Sequence, residues 1–203
     1  QYTENVSNIR LTRNNLKSIS GEIFRNIKKI YLIYLDDNKI EEIPIFPHLE
    51  SLEHLNMAKN KISKVQRDSF LNLPTLKYLD LSENYIESFH EGTFRSSGNL
   101  FLLQINENRI SFLGKETFKG LENLAILYLI KNQLKQLDVE SLDPMKSLIH
   151  LSASGNQIEK IDRRIFEVMK KLSKLDLRGN QCVDDVLTIA DSEYNSLIIE
   201  KCL

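Results

Sequence analysis

Catalytic chemistry in this sequence would need a nucleophile beside a base, a metal-binding cluster or a phosphate-binding loop, and the first candidates are its four histidines, its two cysteines and its carboxylates. None of the spacings that assemble such sites is present, since there is no G-x-S-x-G, no H-E-x-x-H and no G-x-x-x-x-G-K. The histidines are dispersed along the chain, at His48, His54, His90 and His150. The sequence therefore predicts a protein that is not an enzyme, with no catalytic residue, no metal site and no cofactor.

The two cysteines, Cys182 and Cys202, lie near the end of the sequence and form neither a C-x-x-C pair nor a zinc-type spacing. One interpretation is a terminal disulfide, as in secreted proteins. The other is a pair of buried thiols in a cytosolic protein, because free cysteine packs as a small hydrophobe. The triplet Asn5-Val6-Ser7 is an acceptor sequence for N-glycosylation. We therefore expect a secreted or extracellular protein, with Asn5 as a candidate glycosylation site.

The charge balance argues against polyanionic partners. With 27 basic and 28 acidic residues the formal net charge is -1, so no global field favours nucleic acid or an anionic membrane. No apolar run approaches the roughly 20 residues that span a bilayer. The start, QYTENVSNIR, lacks the regions of a signal peptide. We expect no nucleic-acid partner and no membrane span in this chain.

An asparagine recurs at a nearly constant interval, and this interval marks the repeated strands and turns that would position any site. The gaps are 24 residues, except for one gap of 22. The asparagine amide can satisfy backbone groups that would otherwise be buried without a partner, so we expect a structural ladder in which each asparagine bonds to its own turn and the next. Its members are Asn14, Asn38, Asn60, Asn84, Asn108, Asn132, Asn156 and Asn180.

Apolar residues keep fixed offsets from each asparagine and follow the pattern L-x-x-L-x-L-x-x-N-x-L. In Leu79–Leu81 and Leu127–Leu129 the alternation has the period of a strand that is buried on one face. Each copy therefore supplies one short parallel strand, as in a leucine-rich repeat. The pattern predicts an α/β leucine-rich-repeat solenoid, curved, with a parallel concave sheet and short helices or turns on the convex side. Eight copies would occupy residues 1–181 as one array.

A second apolar column is expected to fill the outer side of the solenoid. It lies ten residues after the asparagine, and we interpret its aromatics as core. In the 22-residue second copy, Pro44 and Pro47 predict an extended outer segment in place of a helix. The column comprises Phe24, Phe70, Phe94, Phe118, Leu142 and Phe166.

Residues 182–203 depart from the repeat and predict a C-terminal cap. We expect a short helix near Val183–Ala190, followed by an extended Ser196–Ile199. A bridge between Cys182 and Cys202 would clamp the cap over the last apolar layer and contribute on the order of 3 kcal/mol. The N-terminus shows no comparable device, so an open strand edge is expected there, through which two copies could pair.

Outward strand positions on the concave sheet are the candidate binding residues, because the fold does not require them to be apolar. Apolar side chains cluster there in the fourth to sixth copies, and a contiguous exposed patch usually marks a partner site. The alternative is that a sheet tolerates such residues for β propensity alone. The predicted ligand-binding patch is Tyr78, Leu102, Ile126, Tyr128 and Ile130, extended at the rim by Phe101 and Ile149, with a secondary patch of Tyr31, Leu32 and Tyr34.

Charged and titratable residues on the same face favour a protein or microbial ligand. Acidic and basic side chains are intermixed there, which suits a protein partner better than a polyanion. His54 and His150 also point outward, and His150 is expected near Asp176 on the following strand. We interpret them as a solvated surface pair and not as an acid–base site.

These features make the sequence resemble extracellular leucine-rich-repeat proteins of the 24-residue type, which include Toll-like receptors, small matrix proteoglycans and the leucine-rich immune proteins of insects. The resemblance runs from Ile9 to Cys182. In the final copy, Leu175–Cys182, a cysteine replaces the leucine after the asparagine, and this end looks most similar to the insect (mosquito-like) immune proteins. The resemblance implies a non-enzymatic recognition module of innate immunity. The alternatives are a structural or adhesive matrix protein and, third, a cytosolic scaffold or adaptor.

Overall fold

The computed structural model describes residues 8–27, 29–162, 164–182 and 184–188. Eight strands, one for each copy, form a parallel sheet in chain order, and one further strand closes its C-terminal end. This arrangement confirms the predicted solenoid. The strands are β1 (Asn8–Arg10), β2 (Leu32–Tyr34), β3 (His54–Asn56), β4 (Tyr78–Asp80), β5 (Leu102–Gln104), β6 (Ile126–Tyr128), β7 (Gln136–Leu137), β8 (His150–Ser152), β9 (Lys160–Ile161), β10 (Lys174–Asp176) and β11 (Val186–Thr188).

The sheet is in register because each copy places its apolar residues at the same distance from its asparagine. Leu79 of β4 faces Leu103 of β5, and Leu103 faces Leu127 of β6. These three side chains are at most 1% exposed, whereas the residues on either side of them are half-buried. Since successive side chains of a strand point to opposite faces, the middle residue belongs to the core and its two neighbours line the concave surface.

The ladder asparagines close each turn against the preceding copy. Asn108 donates from Nδ2 to the carbonyls of Ile105 (3.3 Å) and Asn106 (3.0 Å) in its own copy, and of Leu81 (3.0 Å) in the copy before. Its Oδ1 accepts the N–H of Ile86 at 2.9 Å. We expected bonds to the next copy. The preceding copy is used because the sheet leaves that Leu81 carbonyl and that Ile86 N–H without main-chain partners.

The residue before each ladder asparagine has a left-handed backbone, with φ from 51° to 69° in all eight copies. Gly155 and Gly179 adopt this conformation freely. In the other six copies a residue with a side chain adopts it, at a cost of about 1 kcal/mol each. These six are Arg13, Asp37, Lys59, Glu83, Glu107 and Lys131.

Within the described ranges, the outer side contains only short elements. They are a 3₁₀ helix (Gly21–Phe24), helices α1 (Val139–Leu142) and α2 (Ile165–Val168), and the two-stranded pair β7–β9. No helix among the described residues is both long enough and apolar enough to cross a membrane. In the second copy, residues 43–49 form neither helix nor turn, as its two prolines predict.

The outer column is fully buried at most of the expected positions, and its rings pack in sequence, with Phe70 5.5 Å from Phe94 and Phe94 6.3 Å from Phe118. Phe46, which the regular spacing does not predict, fills the column in the shorter second copy and contacts Phe24 at 5.6 Å.

The prediction of Phe166 as the last core residue of the column holds only in part, because Phe166 packs against the core without being enclosed by it. Phe166 is only half-buried, whereas Ile165 is 0% exposed and Met169 is 3% exposed. Ile165 and Met169 are four residues apart, so they lie on the same face of helix α2 and pack into the core. Phe166 is therefore turned to the flank of the helix.

Close approach between copies requires glycine at Gly120. A Cβ atom there would lie 2.2 Å from the carbonyl oxygen of Phe94, and the φ angle of Gly120 is +96°. A similar clash, at 1.9 Å from the Ile45 carbonyl oxygen, would arise at Gly21. Both glycines let the outer segment of one copy touch the backbone of its neighbour.

The described part of the C-terminal cap is a strand where we predicted a helix near Val183–Ala190. β11 pairs antiparallel with β10, and the Leu177 N–H donates to the Asp185 carbonyl at 2.9 Å. The segment forms a strand because pairing satisfies the backbone hydrogen-bonding groups at the edge of β10, which would otherwise be exposed. Ser196–Ile199, Cys202 and Asn5 lie outside the described residues. Cys182 is half-buried and packs against the core.

Candidate functional site

One row of side chains runs across five adjacent strands of the concave face. His54, Tyr78, Leu102, Ile126 and His150 each begin their strand and are paired in register. We call these five residues the concave row. All five are half-buried, so each keeps surface for a partner. The two histidines at its ends were not predicted as part of the patch, although they have the same offset from the asparagine as the other three.

Tyr128 and Ile130 lie beside the concave row. The ring of Tyr128 meets the imidazole of His150 edge-on, with centroids 5.2 Å apart and an interplanar angle of 86°. The N–H of Ile130 donates to Asn106 Oδ1 at 2.9 Å, which fixes the chain where it leaves the sheet. The structure therefore places the five residues of the predicted patch on or directly after the three adjacent strands β4, β5 and β6.

Apolar residues on one rim extend this surface. Phe101 is 43% exposed and Ile149 is 46% exposed. The Phe101 ring contacts the edge of Tyr78, with centroids 6.1 Å apart. Tyr31, which belongs to the predicted secondary patch, is 40% exposed on the same rim. The concave apolar surface thus continues over the rim.

The secondary patch is continuous with the concave row. Leu32 is paired in register with His54, and the imidazole of His54 stacks on the ring of Tyr78 at 4.2 Å with an interplanar angle of 15°. The guanidinium of Arg10 lies over the ring of Tyr34 at 4.9 Å. The two patches that we predicted separately are therefore parts of one surface, joined by His54.

A shallow pocket of about 220 Å³ opens on this surface across β2 to β5. Tyr34, His54, Tyr78 and Leu102 form its apolar walls, and Asp80 lies at its polar end. Tyr128 does not line this pocket, which lies nearer the N-terminus.

Asp80 is the acidic side chain that lines this pocket. Its Oδ1 accepts the N–H of Ser82 at 2.9 Å, and its Oδ2 lies 3.5 Å from Gln104 Nε2. Burial raises the pKa of Asp80 above its ordinary value, opposed by the hydrogen bonds from Ser82, while the charges of Asp36 and Glu83 raise it further. Asp80 also borders a second, polar depression of about 350 Å³.

Charged residues on the other rim, where the chain leaves the strands, are paired between copies along the second depression. Lys131 Nζ lies 2.9 Å from Glu107 Oε1, and Lys59 Nζ lies 3.5 Å from Glu83 Oε1. These lysines and glutamates occupy the left-handed position before the asparagine. The rim is therefore locally neutral, as the intermixed charges of the sequence suggested.

His150 and Asp176 do not form an acid–base pair. Arg178 holds the Asp176 carboxylate with contacts of 3.0 and 2.7 Å, and its hydrogen bonds lower the pKa of Asp176. His150 Nε2 is buried without a hydrogen-bond partner in the described protein. Burial lowers the pKa of both His150 and His54. The neutral imidazoles therefore act as part of the apolar surface, which corrects our interpretation of a solvated pair.

The described side chains of this face offer contact area and hydrogen-bonding groups to a partner. Within the described ranges, no group of three or more His, Cys, Asp or Glu side chains could hold a metal ion. The concave row offers aromatic and aliphatic contact area, and the neighbouring row offers the polar groups of Asn56, Asp80 and Gln104. Such a combination suits the recognition of a macromolecular surface.

Comparison with known proteins agrees with this architecture. A family model described as "Leucine rich repeat" matches residues 4–62, 50–110 and 98–158. Human keratocan is 35% identical over 75 residues, which is 34% of this chain and 21% of keratocan. Bovine opticin is 38% identical over 66 residues, 32% of this chain and 20% of opticin. The matches thus span about a fifth of these small leucine-rich-repeat proteoglycans of the extracellular matrix.

Solved structures with the same fold include two receptor complexes. The Toll–Spätzle complex of Drosophila superposes with a TM-score of 0.80 at 23% identity, covering 88% of this chain and 24% of that one. The TLR13–ssRNA13 complex gives 0.74 at 23% identity, covering 84% and 23%. One of these neighbours binds RNA, so the fold does not support our exclusion of nucleic acid. Together, the family matches and the asparagine-indexed sheet show that the chain belongs to the leucine-rich repeat family.

Proposed function

We propose that this chain is a non-enzymatic recognition module that binds a protein ligand on its concave face. The observation that carries the proposal is the concave row with Tyr128 and Ile130 beside it. These side chains are half-buried and continuous across adjacent strands. β propensity alone explains single residues of this kind, but it does not require them to form one surface with the exposed Phe101.

Innate immunity is the biological role that we favour, with a protein or microbial ligand. Support comes from the fold shared with Toll, whose complex with Spätzle acts in Drosophila development and innate immunity. A structural or adhesive role in the extracellular matrix is the second candidate, and it is supported by the sequence relatives keratocan, epiphycan and opticin. Both roles place the protein outside the cell, whereas the third candidate, a scaffold or adaptor, would be cytosolic.

The test starts with capture of partners from the extracellular fluid of the source by the whole chain. Tyr128→Asp and Leu102→Asp each place a charge in the predicted patch, at half-buried positions where the fold should tolerate it. Each should weaken binding by at least about 2 kcal/mol, or roughly 30-fold in Kd, if the residue is a hot spot. Leu71→Asp, at a 40% exposed position of the outer segment, is the matched control and should bind normally.

Unchanged affinity in both concave variants, with folding verified by circular dichroism, would move the binding site to the rims or to the convex side. An increase in the protein's expression in infected tissue over uninfected tissue would favour immunity over matrix structure.

Association of two copies through β1 remains a prediction. Analytical ultracentrifugation over a dilution series should detect such a dimer.

A further inference from the structure

The carboxylate of Asp80 has a structural role that does not need its charge. Asp80 Oδ1 accepts the N–H of Ser82 at 2.9 Å. In the preceding copy, Asn56 occupies the same strand position, in register with Asp80, and its Oδ1 accepts the N–H of Ala58 at the same distance of 2.9 Å. An amide therefore supports this turn as well as a carboxylate does. The negative charge of Asp80 is left to be explained.

No lysine or arginine within the described ranges makes an ion pair with Asp80. Two of the acids that line the neighbouring depression differ, because Glu83 is paired with Lys59 at 3.5 Å and Asp37 with Arg13 at 3.5 Å. A third, Asp36, accepts a hydrogen bond from Thr12 Oγ1 at 2.9 Å. The charged groups acting on Asp80 are the acids Asp36 and Glu83. Arg10 is three strands away on β1, roughly 14 Å at the usual strand spacing.

The environment of Asp80 makes this charge costly in the unbound protein. Burial raises the pKa of Asp80, because a partly buried carboxylate is solvated less completely than an exposed one. The hydrogen bond from Gln104 Nε2 to Oδ2 is long, at 3.5 Å, so Oδ2 retains capacity to accept a stronger hydrogen bond. A cation placed beside Oδ2 would relieve the penalty and use that capacity.

The walls of the pocket suit a planar cation with an aliphatic stem. Tyr34, Tyr78 and His54 line the pocket with aromatic side chains, and Leu102 completes the apolar lining. One face of Tyr34 already carries Arg10, and one face of Tyr78 carries His54. A guanidinium stacks on aromatic faces while donating to a carboxylate, whereas its methylene stem packs on apolar side chains. Within this protein, Arg109 already lies 4.5 Å over the ring of Tyr85.

We propose that the pocket between β2 and β5 receives an arginine side chain of the protein ligand, with its guanidinium on Asp80 Oδ2 and its stem against Tyr78 and Leu102. This assignment rests on the proposed function, because it adds a charge-specific anchor beside the apolar patch. An apolar residue next to that arginine in the ligand would lie on Leu102 or on Ile126, its partner in register.

The test uses a small probe, so that it does not depend on finding the natural partner. ¹⁵N-labelled whole chain is titrated with acetyl-leucyl-arginine amide and, separately, with acetyl-leucyl-citrulline amide, in which a neutral urea replaces the guanidinium. Saturable shifts should appear at the Gln104 side-chain amide and along β4 and β5. The arginine probe should bind about tenfold more tightly than the citrulline probe, as expected for a hydrogen bond that gains a charged partner.

Asp80→Asn is the informative variant, because Asn56 shows that asparagine fits this turn. It should remove the preference for arginine and leave the weak citrulline binding unchanged. Asp37→Asn is the matched control, since Asp37 is an acid of the neighbouring depression with its own partner. This control should keep the preference.

Equal binding of the two probes to the native chain, or a preference that survives Asp80→Asn, would overturn the proposal. Its failure is distinguishable from failure of the proposed function, because Tyr128 does not line the pocket. A Tyr128→Asp chain that loses its partner yet still prefers the arginine probe supports both. If the arginine preference is absent but Tyr128→Asp still abolishes partner binding, only the arginine site is wrong.

Discussion

The imidazole of His54 stacks on the phenol ring of Tyr78, with centroids 4.2 Å apart and planes inclined by 15°. At the other end of the concave row, His150 meets Tyr128 edge-on. Burial is the main cause that lowers the pKa of both histidines, and Lys77 beside His54 and Lys174 beside His150 act in the same direction, opposed by Glu53 and Asp176. The protein therefore holds both rings preferentially in the neutral form.

This preference predicts that acid destabilises the fold through these two side chains. A histidine with a lowered pKa in the folded state binds protons more readily when the chain is unfolded. Its contribution to stability is complete above the ordinary value of 6.5 and is lost as the pH falls below that value towards the folded-state pKa. The Tm of the native chain should fall between pH 7.5 and pH 5.5 by more than that of a His54→Gln/His150→Gln variant. Equal decreases in the Tm of the two proteins would show that other titratable groups cause the loss of stability at low pH.

Replacing Asn108 should be costly, because its alanine variant leaves the Ile86 N–H without its partner and removes one of the two amides that donate to the Leu81 carbonyl, the other being Asn84. We expect a loss of roughly 1 to 3 kcal/mol in the free energy of unfolding, measured with urea. Asn14→Ala is the control. Asn14 is exposed and its described bonds reach only Leu11 and Thr12 of its own copy. Similar losses in the two variants would contradict the role of the inter-copy bonds.

Gly120→Ala should destabilise the protein by about 2 kcal/mol or more, because the new Cβ clashes with backbone and the left-handed φ becomes strained. Gly98→Ala offers a close comparison, since its Cβ would come no nearer than 4.0 Å to the Gly120 carbonyl oxygen. That second change should alter stability by less than about 0.5 kcal/mol. Thermal unfolding of both variants measures the difference, and a tolerated Gly120→Ala would show that neighbouring backbone can move aside.

A disulfide between Cys182 and Cys202 remains a prediction. Cys182 takes the inward position that leucine or isoleucine occupies in other copies, so the tail must return over the last layer to reach it. Intact-mass measurement of secreted protein after alkylation without reductant should show no label. Two labelled thiols in such material would remove the cysteine argument for an extracellular protein.

Most of the fold was predictable because it depends on a periodic signal. The asparagine interval determines the register, so every pairing from Ile9 with Ile33 to Leu151 with Leu175 follows from counting residues. The buried middle position of each strand follows from alternation. A sequence reader needs no tertiary information for these features, because each copy packs only against its neighbours.

The errors occur where tertiary contacts override the local pattern. Phe166 has the correct offset, but helix α2 presents Ile165 to the core. The segment that became β11 reads as helix until the exposed edge of β10 is considered. In the site, hydrophobicity found Tyr78 and Leu102 but not His54 or Asp80. His54 has the same offset from its asparagine as Tyr78, and Asp80 has the same offset as Tyr128, so the sequence could have placed both on the concave face. The stacking of His54 on Tyr78, and the lack of an ion pair at Asp80 within the described ranges, depend on tertiary contacts.

The direction of the asparagine bonds has a consequence for how the protein is made. Each copy completes the polar network of the copy that was synthesised before it, as Asn38 does for Leu11 and Leu16. A chain emerging from the ribosome N-terminus first would therefore always expose one unfinished turn, at its newest end. The array would then be completed from the N-terminus towards the C-terminus. At every step one backbone carbonyl and one backbone N–H of the newest copy would be exposed to solvent or to a chaperone.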